Sequence, residues 1–166
     1  MIDGLTRARL VLAGYSMGGW LAWLTALAMP GRVAGLLGIA PGIDFVDWID
    51  DKLTPDDLAT LRGAGRITRT SPDYPGEPWV TTLALIEDAE RHRILGGPVH
   101  LDCPVRPVHG MADADAPWEV CLRTAEALTS GDVEVVLLKG VGHLLRDAGE
   151  VERIAALLEE LLDRVG

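Results

Sequence analysis

The sequence predicts an α/β fold, a mainly parallel sheet flanked by helices, and three observations predict it. Short apolar runs bounded by Gly and Pro alternate with segments of helical periodicity, the pattern of parallel strands joined by crossover helices. A Gly-x-Ser-x-Gly stretch, Gly14-Tyr15-Ser16-Met17-Gly18, stands where the first such strand gives way to the first helix. The last helix carries Val151, Ile154, Leu157, Leu158, Leu161 and Leu162 on an apolar stripe and leaves Glu152, Glu159, Glu160 and Asp163 outside it. With 166 residues, 48% of them hydrophobic, the whole chain 1–166 fits a single globular domain.

Taken in order, Ala8 to Ala13 reads as a buried parallel strand that ends at Gly14. Met17 to Met29 is apolar nearly all round, so it reads as a buried helix, and Pro30-Gly31 stops it. Val33 to Ala40 reads as a second buried strand. After Pro41 the composition changes, with Asp, Pro and Gly frequent. There Thr54 is placed to cap a short helix from Pro55, and a longer helix is expected from about Trp79 to Leu95. Residues 42–98 therefore read as a lid-like insertion. The core pattern resumes with a strand at Val105 to His109, a helix at Pro117 to Thr129, a strand at Val133 to Leu138 and a helix at Glu150 to Val165. No internal repeat or low-complexity tract competes with this order. In such a sheet the reactive groups are expected at the carboxyl ends of the strands.

A formal charge of −10, from 15 Lys and Arg against 25 Asp and Glu, argues against nucleic acid and anionic membrane surfaces as partners. Met1-Ile2-Asp3-Gly4-Leu5-Thr6-Arg7 lacks the basic segment and apolar run of a secretory signal. The longest apolar stretch, Leu10 to Met29, is interrupted by Gly14, Ser16, Gly18 and Gly19, and no membrane span is expected. Cys103 and Cys121 fit a reduced cytoplasmic protein better than a disulfide framework, and they offer no metal-ligand spacing.

The chemistry centres on Ser16. Small residues flanking a serine at a strand-to-helix turn push its hydroxyl out above the sheet, and the amide of Met17 at the helix start can donate to an oxyanion. A serine hydroxyl needs a histidine to take its proton and a carboxylate to orient that histidine. Of the four histidines, His143 follows the final strand in Gly140-Val141-Gly142-His143, on a loop able to carry an imidazole over the sheet. His92 lies in a charged helix and His100 in a loop without an obvious partner. His109, at a strand end, reads as a structural hydrogen-bonding residue. The acid belongs in the loop His109-Gly110-Met111-Ala112-Asp113-Ala114-Asp115-Ala116-Pro117. Asp115, two residues before Pro117, is expected to cap the next helix, which leaves Asp113 for the histidine. Phe45, Trp48, Trp79 and Trp118 are candidates to line an acyl or aromatic pocket, and each reads equally well as a core aromatic.

Gly14 to Ala22 and Asp102 to Met111 resemble the α/β-hydrolase superfamily, most closely the subgroup of palmitoyl-protein thioesterases and acyl-glucuronide esterases with its bacterial relatives. The likeness runs from about Leu10 to the C-terminus, and the chain order Ser, Asp, His is the one expected of that fold. The resemblance implies the C-terminal portion of an α/β-hydrolase fold with a helical lid insertion. It implies a serine hydrolase acting on esters or thioesters without a metal or other cofactor, with Ser16, Asp113 and His143 as the triad. Met17 falls at the oxyanion position, and Tyr15 and Trp118 are assigned to substrate binding. Ala116 replaces the valine of the HGxxDxxVP pattern, a conservative change.

The departure lies at the front. Fifteen residues precede Ser16, whereas the family places several strands, a helix and a loop with a second oxyanion donor before its nucleophile. Losing one such donor costs roughly 100- to 1,000-fold in turnover. The strand near Ala8 would then be an exposed edge. Three explanations stand open: a start assigned too late, a short protein that forms a homodimer across that edge, or a decayed gene. A reading from another class, a catalytically silent binding or interaction module that has inherited its triad residues, rests on the same departure.

Overall fold

The computed structural model describes residues 6–70, 76 and 78–164, and the chain divides into two compact units. One comprises residues 1–43 and 95–166; the other, Asp44–Ile94, is inserted between its two parts. Of the expected elements, residues 71–75 and 77 of the insertion and Val165 of the last helix lie outside the described residues.

The first unit is built on four parallel strands in the order β1-β2-β5-β6: β1 Leu10–Tyr15, β2 Val33–Ile39, β5 Val105–Gly110 and β6 Val136–Leu138. Strands β2 and β5 lie in the middle and are buried along almost their whole length; β2 reads as an unbroken apolar run, while β5 buries Arg106 and His109 among its apolar residues. Helices α1 (Met17–Ala28), α5 (Glu119–Ala127) and α6 (Ala148–Asp163) cover the sheet. Two glycines of β2 show that α1 and α6 lie on opposite faces. A Cβ on Gly35 would meet Leu161 of α6 at 3.3 Å, and one on Gly38 would meet Trp23 of α1 at 2.6 Å. Positions three apart in a strand point to opposite sides. On the α6 side, Leu37, Ala40, Val108, Leu145, Leu157 and Leu161 form one buried cluster.

Helix α6 begins two residues earlier than expected because Asp147 and Glu150 close a capping box there. At its far end Glu160 accepts from Arg106, a guanidinium only 2% exposed on β5, at 2.8 Å, and Arg106 also donates to Asp132 at 2.7 Å. Strand β6 is shorter than expected. Val133 makes only an isolated bridge to Val105, and regular pairing starts at Val136.

The second unit holds helices α2 (Val46–Ile49) and α3 (Pro55–Ala64), strands β3 (Arg66–Arg69) and β4 (Trp79–Thr82), and helix α4 (Leu83–Arg91). A 3-10 turn at Asp50–Lys52 follows α2. As expected, Thr54 caps α3, in a capping box with Asp57. The helix expected from Trp79 to Leu95 is corrected. Its first four residues form a strand paired antiparallel with β3, and Thr82 caps the helix that follows through the Leu85 amide. Val80, Thr81 and Thr82 are β-branched, which favours the extended form. Leu53, Leu61 and Ile67 form this unit's small core. The buried Asp44 carboxylate accepts the Ile94 amide at 2.9 Å and so closes the unit's two ends on each other. Phe45 and Trp48 are half-buried here, while Trp79 is exposed.

Candidate active site

Tyr15 ends β1 and Met17 opens α1, so the chain turns from strand to helix on the single residue Ser16. It does so at φ 51° and ψ −120°, backbone that costs a non-glycine residue roughly 1–3 kcal/mol. The surrounding bonds over-determine it. The Ser16 amide donates to the Ile39 carbonyl at 2.8 Å, and its own carbonyl accepts from Gly19 and Gly42 at 2.9 and 3.0 Å. The turn closes because two neighbours lack side chains. A Cβ on Gly14 would stand 2.1 Å from the Gly18 carbonyl oxygen, and one on Gly19 would stand 2.7 Å from Pro41. Gly18, expected to share this duty, does not: a Cβ there meets nothing within 4 Å. Met17 is the first residue of α1, where amides have no partner inside the helix.

The histidine arrives on the loop after β6. Gly140 turns at φ 80°, and Leu145, held at φ 42°, buries its side chain in the main cluster and anchors the loop. The loop crosses so close to β5 that a Cβ on Gly110 would lie 2.2 Å from the Val141 carbonyl oxygen. That same carbonyl accepts from the Ala112 amide at 2.9 Å, tying the two loops together. Tyr15 donates its hydroxyl to the His143 carbonyl at 3.3 Å, and the two rings stand 5.2 Å apart, tilted. Tyr15, expected at the substrate, holds the loop that carries His143.

These loops bring three of the expected residues into one line. His143 Nε2 lies 3.0 Å from Ser16 Oγ, and His143 Nδ1 lies 2.7 Å from Asp113 Oδ2. The Asp113 side chain is fully buried. Its Oδ1 accepts from the amides of Asp115 and Ala116, both at 2.8 Å. Burial opposes ionisation of Asp113, but hydrogen bonds from His109, His143 and the Ala116 amide outweigh it and hold the carboxyl well below the usual carboxylate range. Asp115 is not at the N-cap position of the next helix. α5 begins at Glu119 with Trp118 at its N-cap, so Asp115 stands three residues too early, and Asp113 itself shapes the loop. Trp118 is half-buried there.

His109 is a hydrogen-bonding residue at a strand end, as expected, and its partner is Asp113. Its ring is fully buried; Nε2 lies 2.9 Å from Asp113 Oδ2, and Nδ1 lies 3.3 Å from the Sγ of Cys121. Burial, with the Asp113 charge nearby, pushes the Cys121 thiol up to about 12, so it stays protonated. The one signal in the sequence was the four-residue spacing from His109 to Asp113. Of the other histidines, His92 bonds the Asp88 carbonyl of its own helix and His100 is exposed. Among the described residues, no group of three or more His, Cys, Asp or Glu side chains is placed to hold a metal ion.

The model of the alpha/beta hydrolase family matches residues 1–157. Cattle palmitoyl-protein thioesterase ABHD10, a mitochondrial protein, is 28% identical over 165 residues, which are 99% of this chain and 54% of that protein. The solved structure of mouse alpha/beta hydrolase domain-containing protein 10 superposes with a TM-score of 0.85 at 30% identity, over 99% of this chain and 66% of that one. A solved structure from Agrobacterium vitis S4 gives 0.86 at 32% identity, over 96% and 64%. The chain thus spans about half the length of the curated relatives it matches.

Proposed function

The chain belongs to the alpha/beta hydrolase family, and on that premise we propose that it is a serine hydrolase cleaving carboxylic esters or thioesters through an acyl-enzyme on Ser16. The observation that carries the reading is the hydrogen-bonded line from Ser16 Oγ to His143 to Asp113. Ser16 Oγ attacks the carbonyl carbon while His143 Nε2 takes its proton. The Met17 amide donates to the oxyanion, and Asp113 stabilises the imidazolium. Collapse of the tetrahedral intermediate expels the thiol or alcohol, which takes the proton back from His143. Water, deprotonated by the same nitrogen, then releases the acid and restores Ser16.

Relatives named as palmitoyl-protein thioesterases support an acyl thioester as the substrate class. The ring of Tyr15 beside His143 and the half-buried Trp118 beyond the acid loop supply apolar surface for the acyl group. The free thiols of Cys103 and Cys121 support a reducing compartment such as the cytoplasm.

The test is labelling with a fluorophosphonate probe beside a Ser16→Ala control, which needs an activated serine but no known substrate. Labelling is expected, and it is expected to vanish in the control. An unlabelled but folded protein would overturn the reading in favour of the silent binding module.

A further inference from the structure

We propose that His109 is a positioning residue for this hydrolysis: it holds the Asp113 carboxylate with Oδ2 turned toward His143. The inference rests on the roles proposed above for Ser16, His143 and Asp113.

The geometry is that of a carboxylate fixed at both oxygens. Two backbone amides hold Oδ1, which leaves the group free to pivot about that oxygen. His143 cannot stop the pivot, because it is the part to be positioned. The second imidazole on Oδ2, at 2.9 Å, does stop it. An ionised carboxylate only accepts hydrogen bonds. Each nitrogen facing Oδ2 therefore carries a hydrogen: Nδ1–H on His143 and Nε2–H on His109.

Two consequences follow for the protons. His143 in its neutral form presents a bare Nε2 to Ser16 Oγ, as a general base requires. His109 has a bare Nδ1, and the protonated Cys121 thiol at 3.3 Å donates to it. Asp113 and Cys121 thus agree on one tautomer of His109, and His109 sets the angle of Asp113. No charge is added, and each buried group in this chain of bonds has a partner, which a low-dielectric interior demands. His109 and Cys121 are both fully buried, so neither contacts substrate.

Removing the donor while keeping the ring's bulk is the direct test. His109→Leu is expected to lower kcat on an activated acyl thioester by about 10- to 100-fold, the loss of one hydrogen bond to a charged group, with KM unchanged. His109→Gln returns an N–H close to the position of Nε2 and is expected to recover kcat to within about fivefold of wild type. A folded His109→Leu protein with wild-type kcat would overturn the proposal. So would a His109→Gln protein as impaired as His109→Leu.

A reading on the unaltered protein guards against a variant that fails to fold. Long-range proton–nitrogen spectra are expected to show His109 protonated at Nε2 and bare at Nδ1; the opposite tautomer overturns the proposal. In the same spectra the His143 Nδ1 proton is expected far downfield in wild type and broadened by exchange in His109→Leu. These signals need no turnover. A protein that fails to label with fluorophosphonate would sink the hydrolase reading, while the spectra still decide whether His109 fixes Asp113.

Discussion

Strands β2 and β5 lie between other strands and are buried along almost their whole length. Strands β3 and β4, in the unit Asp44–Ile94, form a two-stranded ladder on which only Ile67 is deeply buried. An isolated two-stranded pairing is marginal in water, whereas a multi-stranded sheet with helices on both faces is not. A strained group persists only where the surrounding structure holds it firmly. Ser16 holds its unfavourable backbone at the rim of the well-buried sheet, where Ile39, Gly19 and Gly42 fix it.

The comparison can be broken by experiment, and the largest effect is expected at the site. Asp113→Asn, which leaves the fold in place but favours the wrong tautomer of His143, is expected to lower kcat by about 10⁴-fold. Steady-state kinetics on a thioester reads it, and a loss below tenfold would mean that the buried carboxylate does not orient the base. Next comes Leu161→Ala in the main cluster, expected to cost about 3–5 kcal/mol in urea unfolding, against about 2–3 kcal/mol for Leu61→Ala in the second unit. Equal costs would erase the contrast between the two cores. Native-state hydrogen exchange sharpens it further: amides of β3 and β4 are expected to exchange well before those of β2 and β5.

A smaller effect separates the units by pH. Asp113 has its folded-state pKa lowered, so its contribution to stability is present above the unfolded value of about 4 and is lost as pH falls below it. The stability advantage of wild type over Asp113→Asn is therefore expected to shrink between about pH 5 and pH 2. An advantage that stays constant over that range would show that the hydrogen bonds from His109 and His143 do not favour the ionised form. The smallest change belongs to the second unit. Gly63, in α3, has open space where a Cβ would go, and Gly63→Ala is expected to add about 0.5 kcal/mol.

Legibility followed the same division. The first unit could be read because β1, β2 and β6 are short apolar runs, and the serine turn carries its own glycines. In the second unit, Trp79-Val80 runs straight into Leu83 and Ile86, so the apolar spacing of α4 seemed to begin four residues early. Arg66–Arg69 hid as a strand because one buried residue among charged neighbours makes no run. At the site, Ser16, Asp113 and His143 could be found from chain order and loop position. The bond from Tyr15 to His143 could not, and that from His109 to Asp113 left only its four-residue spacing as a trace. The His109 bond depends on how the chain turns back on itself just after β5, and the Tyr15 bond on where the loop after β6 passes the end of β1.

The left-handed backbone at Ser16 also bears on how variants of this protein would be sorted. Glycine accepts φ 51° without penalty, and the serine hydroxyl returns only one hydrogen bond, to His143. A library selected for heat resistance alone would therefore enrich glycine at position 16, and its most durable members would be unable to form an acyl-enzyme.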